Sequence, residues 1–412
     1  MQSSESNDHV PALIGGCYRV EGELARGGMA RVYRVVDERN GAAFALKQLY
    51  GPEERSATLR AMFEREYHTL VQLAHPRIVR VFDFGVDGDS PYYVMELLHG
   101  VDARQAIREQ KADIGQICRW LRDCASALAL IHSRRLVHRD VSPRNLWCTP
   151  DGHAKLIDFG TLVAMGPQTR IAGTPPFVPP EAVNAQPLDG RCDLYALGAL
   201  AYSMLTERAA FPARNLAELP ELWRRRPERP DALRPDVPKA LSDLVMALLS
   251  FDPRGRPASA SEVFQRLTAI GSLPPEDEQS VAQAFLASPT LVGRDEALAL
   301  ARKRVKRVFG RRGGTLAILA DGGLGRSRML ASTVLEAKLV GATAITVTAT
   351  AVATGPLSLA TALAERLLEA QPLAAAEALE HAPVLAQLSP ALHRALGEPK
   401  PIELSAFDRV RK

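Results

Sequence analysis

A chain of 412 residues exceeds what one ordinary core accommodates and reads as two or more domains. Its 46% hydrophobic and 24% charged residues describe a globular composition and exclude a disordered or fibrous one. The 51 basic side chains against 47 acidic ones leave a net charge of +4, too small an excess to argue for nucleic acid or a membrane surface as partner.

Residues Met1 to about Gly16 read as a flexible polar tail without the basic and apolar regions of a signal peptide. The cysteines Cys17, Cys118, Cys124, Cys148 and Cys192 are scattered and form no C-x-x-C pair. That pattern points away from a disulfide framework or a zinc site and towards a reducing, cytoplasmic setting. The apolar run Leu194–Leu205 is too short to cross a bilayer, and Ala342–Ala364 is broken by Gly355-Pro356, so no membrane span is expected.

From Cys17 to Tyr50 the pattern is strand-like, in the runs Tyr18–Leu24, Arg31–Val36 and Ala42–Leu49. Asn40-Gly41 between the last two is a hairpin signal. Ala57–Leu73 places Leu59, Phe63, Tyr67, Leu70 and Leu73 at helical spacing, and two further strands are expected over Ile78–Gly85 and Tyr92–Leu97. From Ala103 to about Ile270 the reading turns helical, with Ile117–Ser133, Asp193–Thr206, Pro238–Ser250 and Ser259–Ile270 bounded by Pro, Gly or Ser. A β-rich part followed by an α-rich part predicts an α+β bilobal unit over residues 17–270 with a cleft between the lobes. Residues 271–289, opening Gly271-Ser272-Leu273-Pro274-Pro275, have the composition of a linker, and strand–loop–helix alternation follows over 290–412.

Phosphoryl transfer needs a backbone cradle over phosphates, a positioned lysine, metal-holding oxygens and a carboxylate near the attacking hydroxyl. Candidates for each occur in that order. Leu24-Ala25-Arg26-Gly27-Gly28-Met29-Ala30-Arg31-Val32 joins two strands with small residues that let backbone N–H groups approach an anion, although Ala25 and Ala30 stand where a G-x-G-x-x-G loop has its outer glycines. Alone, this segment is equally well read as a hairpin turn. Ala45-Leu46-Lys47 puts a lysine on the third strand, either as a solvated surface charge or as a phosphate ligand held by Glu66 on the next helix. His138-Arg139-Asp140-Val141-Ser142-Pro143-Arg144-Asn145, followed by Asp158-Phe159-Gly160, is the most specific pattern in the chain.

On these motifs residues 17–270 resemble the protein-kinase family, in particular the bacterial serine/threonine kinases of the eukaryotic type. The resemblance implies ATP in the interlobe cleft, Mg²⁺ held by Asn145 and Asp158, and Asp140 at the substrate hydroxyl. It implies Lys47 on the α- and β-phosphates, and a nucleotide pocket drawn from Leu24, Ala25, Gly27, Gly28, Val32, Ala45, Lys47, Glu66, Glu96, Leu98 and Leu146. Its hinge is Glu96-Leu97-Leu98, with Met95 as gatekeeper. Pro179-Pro180-Glu181, Asp193 and Arg256 resemble its structural anchors. The family implies protein substrates, and self-association for phosphorylation of one copy by another. Ser142 departs from the lysine usual at that position, and Arg144 from the acidic residue by which some kinases select basic peptides. Arg139 before Asp140 implies a switch by activation-segment phosphorylation, with Thr161, Thr169 and Thr174 as local hydroxyls and Thr169 as the preferred one. A scaffold that binds nucleotide without turnover is the alternative.

Beyond the linker, Leu291-Val292-Gly293-Arg294-Asp295 and the loop Ala320-Asp321-Gly322-Gly323-Leu324-Gly325-Arg326-Ser327, after a strand-like Thr315–Leu319, resemble the start of an AAA-like P-loop ATPase module. Ala320 and Arg326 replace the first glycine and the lysine of the loop, so the expectation is a partial or degenerate α/β P-loop-like segment, with a working ATPase as the alternative. The basic run Arg302–Arg312 is read as a solvated helix face.

Overall fold

The computed structural model describes residues 11–27, 29–50, 56–109, 112–168, 170–274, 295–309, 313–319, 326–339, 342, 344–347, 357–370, 378–397 and 399. The chain divides into two compact units, Met1–Thr290 and Leu291–Lys412.

In the first unit, β1 (Leu13–Ile14), β2 (Tyr18–Arg26), β3 (Ala30–Asp37), β4 (Ala43–Leu49), β5 (Val81–Asp87) and β6 (Ser90–Glu96) form a six-stranded antiparallel sheet ordered β1-β2-β3-β4-β6-β5. The β3–β4 turn closes where Asn40-Gly41 predicted it: Gly41 takes φ +72°, which suits glycine, and its N–H donates to Asp37 O at 2.7 Å. Strand alternation divides the side chains between two faces. Tyr33, Val35, Leu46, Tyr92 and Val94 build one apolar face, while Lys47 lies directly opposite Tyr93 on the other. Helix α1 (Ser56–Gln72) covers that second face, with Phe63 and Tyr93 ring centroids 5.0 Å apart and Tyr67 and Phe84 also at 5.0 Å.

One expectation is corrected here. The segment read as a tail through Gly16 contains β1, and Ile14 is fully buried on the first apolar face. A two-residue strand carries too little periodicity to be seen in sequence; its force comes from the hydrophobic surface it covers.

After the sheet come β7 (Val101–Asp102), α2 (Ala103–Arg108), α3 (Ile114–Ser133), β8 (Leu136–Val137), β9 (Leu146–Cys148), β10 (Ala154–Leu156), β11 (Val163–Ala164), α4 (Pro180–Val183), α5 (Arg191–Thr206), α6 (Leu219–Leu222), α7 (Pro230–Leu233), α8 (Lys239–Leu248) and α9 (Ala260–Ile270). Asp113 caps α3 by accepting from Gln116 N at 2.7 Å, and Ser259 caps α9 by accepting from Glu262 N at 3.2 Å. Helix α5 is buried from Cys192 to Leu205 and, after Asp193, almost wholly apolar, which explains a hydrophobic run too short for a membrane. Among the described residues no helix is long and apolar enough to cross one. The expected linker is pinned at its start: Leu273 is buried, and Arg122 Nη1 donates to Pro274 O at 2.7 Å.

His75, between α1 and β5, is buried and joins the two lobes. Its Nδ1 accepts from Arg77 N at 3.0 Å, and its Nε2 lies 3.4 Å from Ser126 Oγ on α3. Burial first, then the nearby Arg77 and Lys155 charges, push its pKa down to about 4. An unfolded chain takes up that proton near pH 6.5 and the folded one only near 4. Between these values the unfolded state holds more protons, so stability is full above pH 6.5 and falls as pH falls. Urea unfolding at pH 4.5 should show the native protein losing about 2–3 kcal/mol more, relative to neutral pH, than a His75→Asn variant loses. Equal losses would remove the assignment.

In the second unit the described helices include Asp295–Phe309, Arg326–Leu339 and Ser358–Ala370. Lys303, Arg304 and Arg307 are exposed on the first, as the solvated-face reading requires. The strand expected over Thr315–Leu319 is not formed. Those residues pair with no strand among the described residues, and Leu319 is 91% exposed. Residues 320–325 of the P-loop-like segment and Leu291–Arg294 lie outside the described residues, while Arg326 opens the second helix.

Candidate active site

The register of the sheet brings Ala25, Val32, Lys47 and Tyr93 into one cross-strand row, because Ala25 pairs with Val32, Val32 with Lys47, and Lys47 with Tyr93. Ala45, two residues before Lys47 on the same face, is buried opposite Met95. Leu24 and Ala25 belong to β2 and are exposed, and Gly27 N donates to Ala30 O at 2.8 Å to close the β2–β3 turn. Gly28 and Thr169 lie outside the described residues.

Lys47 Nζ lies 2.8 Å from Glu66 Oε1 and 3.3 Å from Asp158 Oδ1, joining β4, α1 and the loop after β10. Glu66 is buried, and the same oxygen accepts from Tyr93 OH at 3.0 Å and Phe159 N at 3.3 Å. Burial pulls the Lys47 ammonium down, but Tyr93, Glu66 and Asp158 beside it outweigh that and hold its pKa well above the usual lysine value. Burial pushes the Asp158 carboxyl up, while Lys47 and the Gly160 N–H pull it down further, so the net shift is downward and it stays ionised.

The loop between β8 and β9 holds the second group of residues. Asn145 Nδ2 donates at 2.8 Å both to Asp140 O and to Asp140 Oδ2. The other carboxylate oxygen of Asp140 accepts from Thr174 N at 2.9 Å and Thr174 Oγ1 at 2.8 Å. Asp193, fully buried at the start of α5, accepts from His138 N at 2.9 Å and Arg139 N at 2.8 Å, with His132 Nε2 2.8 Å away. Arg139 and Asp158 take left-handed φ values of 68° and 61°, an unfavourable state for residues with a Cβ that their hydrogen bonds sustain. Arg139 Nε donates to Thr161 O at 2.7 Å and Nη1 to Arg170 O at 3.2 Å, while Thr161 Oγ1 donates to His138 O at 2.7 Å. Ser142 is buried, and its neutral hydroxyl supplies no positive charge at that position.

Leu146 follows Asn145 on β9 and is fully buried opposite Leu156. At the hinge, Leu98 is half-buried, and the Glu96 carboxylate is occupied by Lys155 Nζ at 2.6 and 2.7 Å and by Arg80 N at 2.7 Å. The Glu96 N–H is engaged as well, donating to Arg80 O at 2.9 Å, so neither its side chain nor its amide is left for a ligand. Tyr93 and Lys155 escaped the sequence reading, and Thr174 entered it only as a local hydroxyl, without its bond to Asp140. Tyr93 was available from strand register, being opposite Lys47, whereas the other two contacts span 34 and 59 residues and leave no local pattern.

The donor set fits a hard cation. The Asp158 side chain is 52% exposed, and spending Nδ2 of Asn145 on Asp140 leaves its amide oxygen as an acceptor. One carboxylate and one amide oxygen suit Mg²⁺, which keeps waters and substrate phosphates as its other ligands.

The protein kinase domain family matches residues 18–267. The chain belongs to this family. A probable serine/threonine-protein kinase of Streptomyces coelicolor is 33% identical over 266 residues, 61% of this chain and 40% of that relative. A serine/threonine-protein kinase of Myxococcus xanthus is 31% identical over 293 residues, 66% of this chain and 53% of the relative. The serine/threonine-protein kinase PknA of Mycobacterium tuberculosis is 29% identical over 284 residues, 66% and 65% of the two chains. The chain spans less than two thirds of the length of each of these relatives.

Proposed function

We propose that this chain is a kinase that transfers the γ-phosphate of ATP to serine or threonine hydroxyls of proteins. The observation that carries the reading is the Asp140 carboxylate, aimed by Asn145 and Thr174 on separate segments and set in a loop that Asp193 braces. Asp140 orients the acceptor hydroxyl and takes its proton as the oxygen–phosphorus bond forms and the bond from the γ-phosphorus to the bridging oxygen breaks, releasing ADP. Lys47, kept protonated and held by Glu66, fixes the α- and β-phosphates, and the backbone of the β2–β3 turn lies over them. Asn145 and Asp158 would hold Mg²⁺, which would supply neutralisation of phosphate charge. Ala45, Val32, Leu146 and the Glu96–Leu98 backbone form the adenine site.

Arg139 ties two carbonyls of the activation segment together, and a phosphate on that segment would draw its guanidinium into a charge-assisted pair. Regulation by activation-segment phosphorylation is therefore part of the proposal. So are phosphorylation of one copy by another, a cytoplasmic setting supported by five free cysteines, and a degenerate P-loop-like module over residues 290–412 that rests on sequence motif alone.

The test is autophosphorylation of the purified chain with labelled ATP and Mg²⁺ beside an Asp140→Asn variant. Label should appear in the native protein, fall by a factor of at least ~100 in the variant, and rise faster than linearly with enzyme concentration. Phosphosite mapping should find phosphate between Asp158 and Glu181. Intact ATP binding without label in either protein would favour the scaffold.

A further inference from the structure

Of the three tryptophans in the chain, two spend their indole N–H on the fold. Trp147 Nε1 donates to His99 O at 3.1 Å, and Trp223 Nε1 to Tyr195 OH at 2.9 Å. Trp120, on α3, is buried, and its Nε1 has no hydrogen-bond partner among the described residues. A buried indole N–H ordinarily finds an acceptor, because otherwise the hydration it gave up is not replaced. Trp120 also lines a cavity of about 270 Å³ between α2, α3 and α5. Ala106, Ile117 and Met204, all buried, make the rest of its floor. Ala112, Glu207 and Arg234, each more accessible, stand at its mouth.

The floor offers a single donor amid apolar surface, so its complement is an apolar body with one acceptor oxygen. A carbonyl suits it better than a hydroxyl, which would bring a second donor in need of an acceptor. The volume lies just under the roughly 300–1,000 Å³ of pockets for drug-sized ligands, which restricts the occupant to a compact molecule. Charge narrows the class further. Glu207 and Arg234 at the mouth are opposite in sign, and Arg234 Nε already donates to the two Asp236 oxygens at 3.0 and 3.2 Å. No net positive charge is left to draw in an anion, and the floor holds no carboxylate for a cation. We infer that the cavity between α2, α3 and α5 binds a compact neutral molecule whose carbonyl oxygen accepts from Trp120 Nε1. None of the lining residues contributes to the Lys47 or Asp140 sites, so this site stands apart from the proposed function and does not depend on it.

The test is a ¹H–¹⁵N spectrum of the full chain labelled at tryptophan, in which each indole N–H gives its own signal and Trp120→Phe identifies that of Trp120. Acetophenone and cyclohexanone serve as probes, and ethylbenzene, which lacks the oxygen, as the control. Both ketones should shift the Trp120 signal downfield and saturably, with Kd of about 1 mM or below, and leave those of Trp147 and Trp223 in place. Ethylbenzene should bind about two- to tenfold more weakly, the range for one lost hydrogen bond, and give no downfield shift. Ala112→Phe, at the mouth and outside any helix, should remove the response while leaving thermal unfolding unchanged. No response of the Trp120 signal to either ketone in the native chain would overturn the inference. So would ethylbenzene binding as tightly as the ketones, or a response that survives in a folded Ala112→Phe protein. None of these readouts involves ATP, so their failure would leave the kinase reading in place, and loss of autophosphorylation would leave this site in place.

Discussion

An enzyme carrying Lys47→Met is expected to lose about two to three orders of magnitude in kcat/KM, the cost of removing one preorganised cation or donor from a reacting centre, while keeping its fold. The fold survives because Glu66 does not become an orphan. After the substitution its Oε1 still accepts from Tyr93 OH at 3.0 Å and Phe159 N at 3.3 Å. The loss is in charge: the native ammonium, held above its ordinary pKa, is protonated throughout the neutral range. The effect should therefore be the same at pH 6.5 and 8, a flat profile that separates a fixed cation from a titrating one. Glu66→Gln should cost less, about tenfold, because Lys47 keeps Asp158 at 3.3 Å as a second partner. Thermal melts and ATP kinetics on the two variants check this. Retention of a third of the native rate by Lys47→Met would dismiss the lysine from the mechanism.

Much of this site was legible because its chemistry is written locally. Asp140 and Asn145 are five residues apart and touch directly, so one stretch of sequence carries both the carboxylate and its clamp. Strand positions were legible from alternation, and their register then placed Val32 and Lys47 side by side. What stayed hidden depends on contacts across the fold. Glu96 appeared only as a hinge residue, yet its side chain is taken by Lys155, 59 positions away. Ile14 ends a short apolar stretch cut off by Gly15-Gly16 and gave no period, and its role exists only once the sheet presents an apolar face. The helical lobe was easier, since α3 and α9 announce themselves by caps and by repeating apolar positions. Thr315–Leu319 misled for the reverse reason: β-prone composition alone does not make a strand, and among the described residues this segment has no strand partner.

Arg256→Ala should lower the stability of the first unit by about 3–5 kcal/mol, the usual cost of breaking a buried ion pair from one side. Arg256 and Glu181 are each 4% exposed and meet in a fork, with Nη1–Oε1 at 2.5 Å and Nη2–Oε2 at 2.9 Å. The guanidinium also donates to Ser250 O and Arg191 O, both at 2.9 Å, and stands 5.0 Å over the Tyr195 ring. Removing it leaves the Glu181 carboxylate buried without its counter-charge and frees carbonyls from two other segments. Arg256→Lys should recover little, because a single ammonium cannot reproduce the two parallel bonds. For a unit of this size the alanine change corresponds to a drop of roughly 6–20 °C in Tm. Glu181 opens α4, directly after the activation segment that carries Thr174 to Asp140, so the two ends of that segment are held by different means. Freed at Glu181, the segment should lose its register on Asp140, and activity should fall more steeply with temperature than the melt alone explains. An Arg256→Ala protein with unchanged Tm would mean that the pair contributes no net stability, and that its role lies in positioning the segment alone.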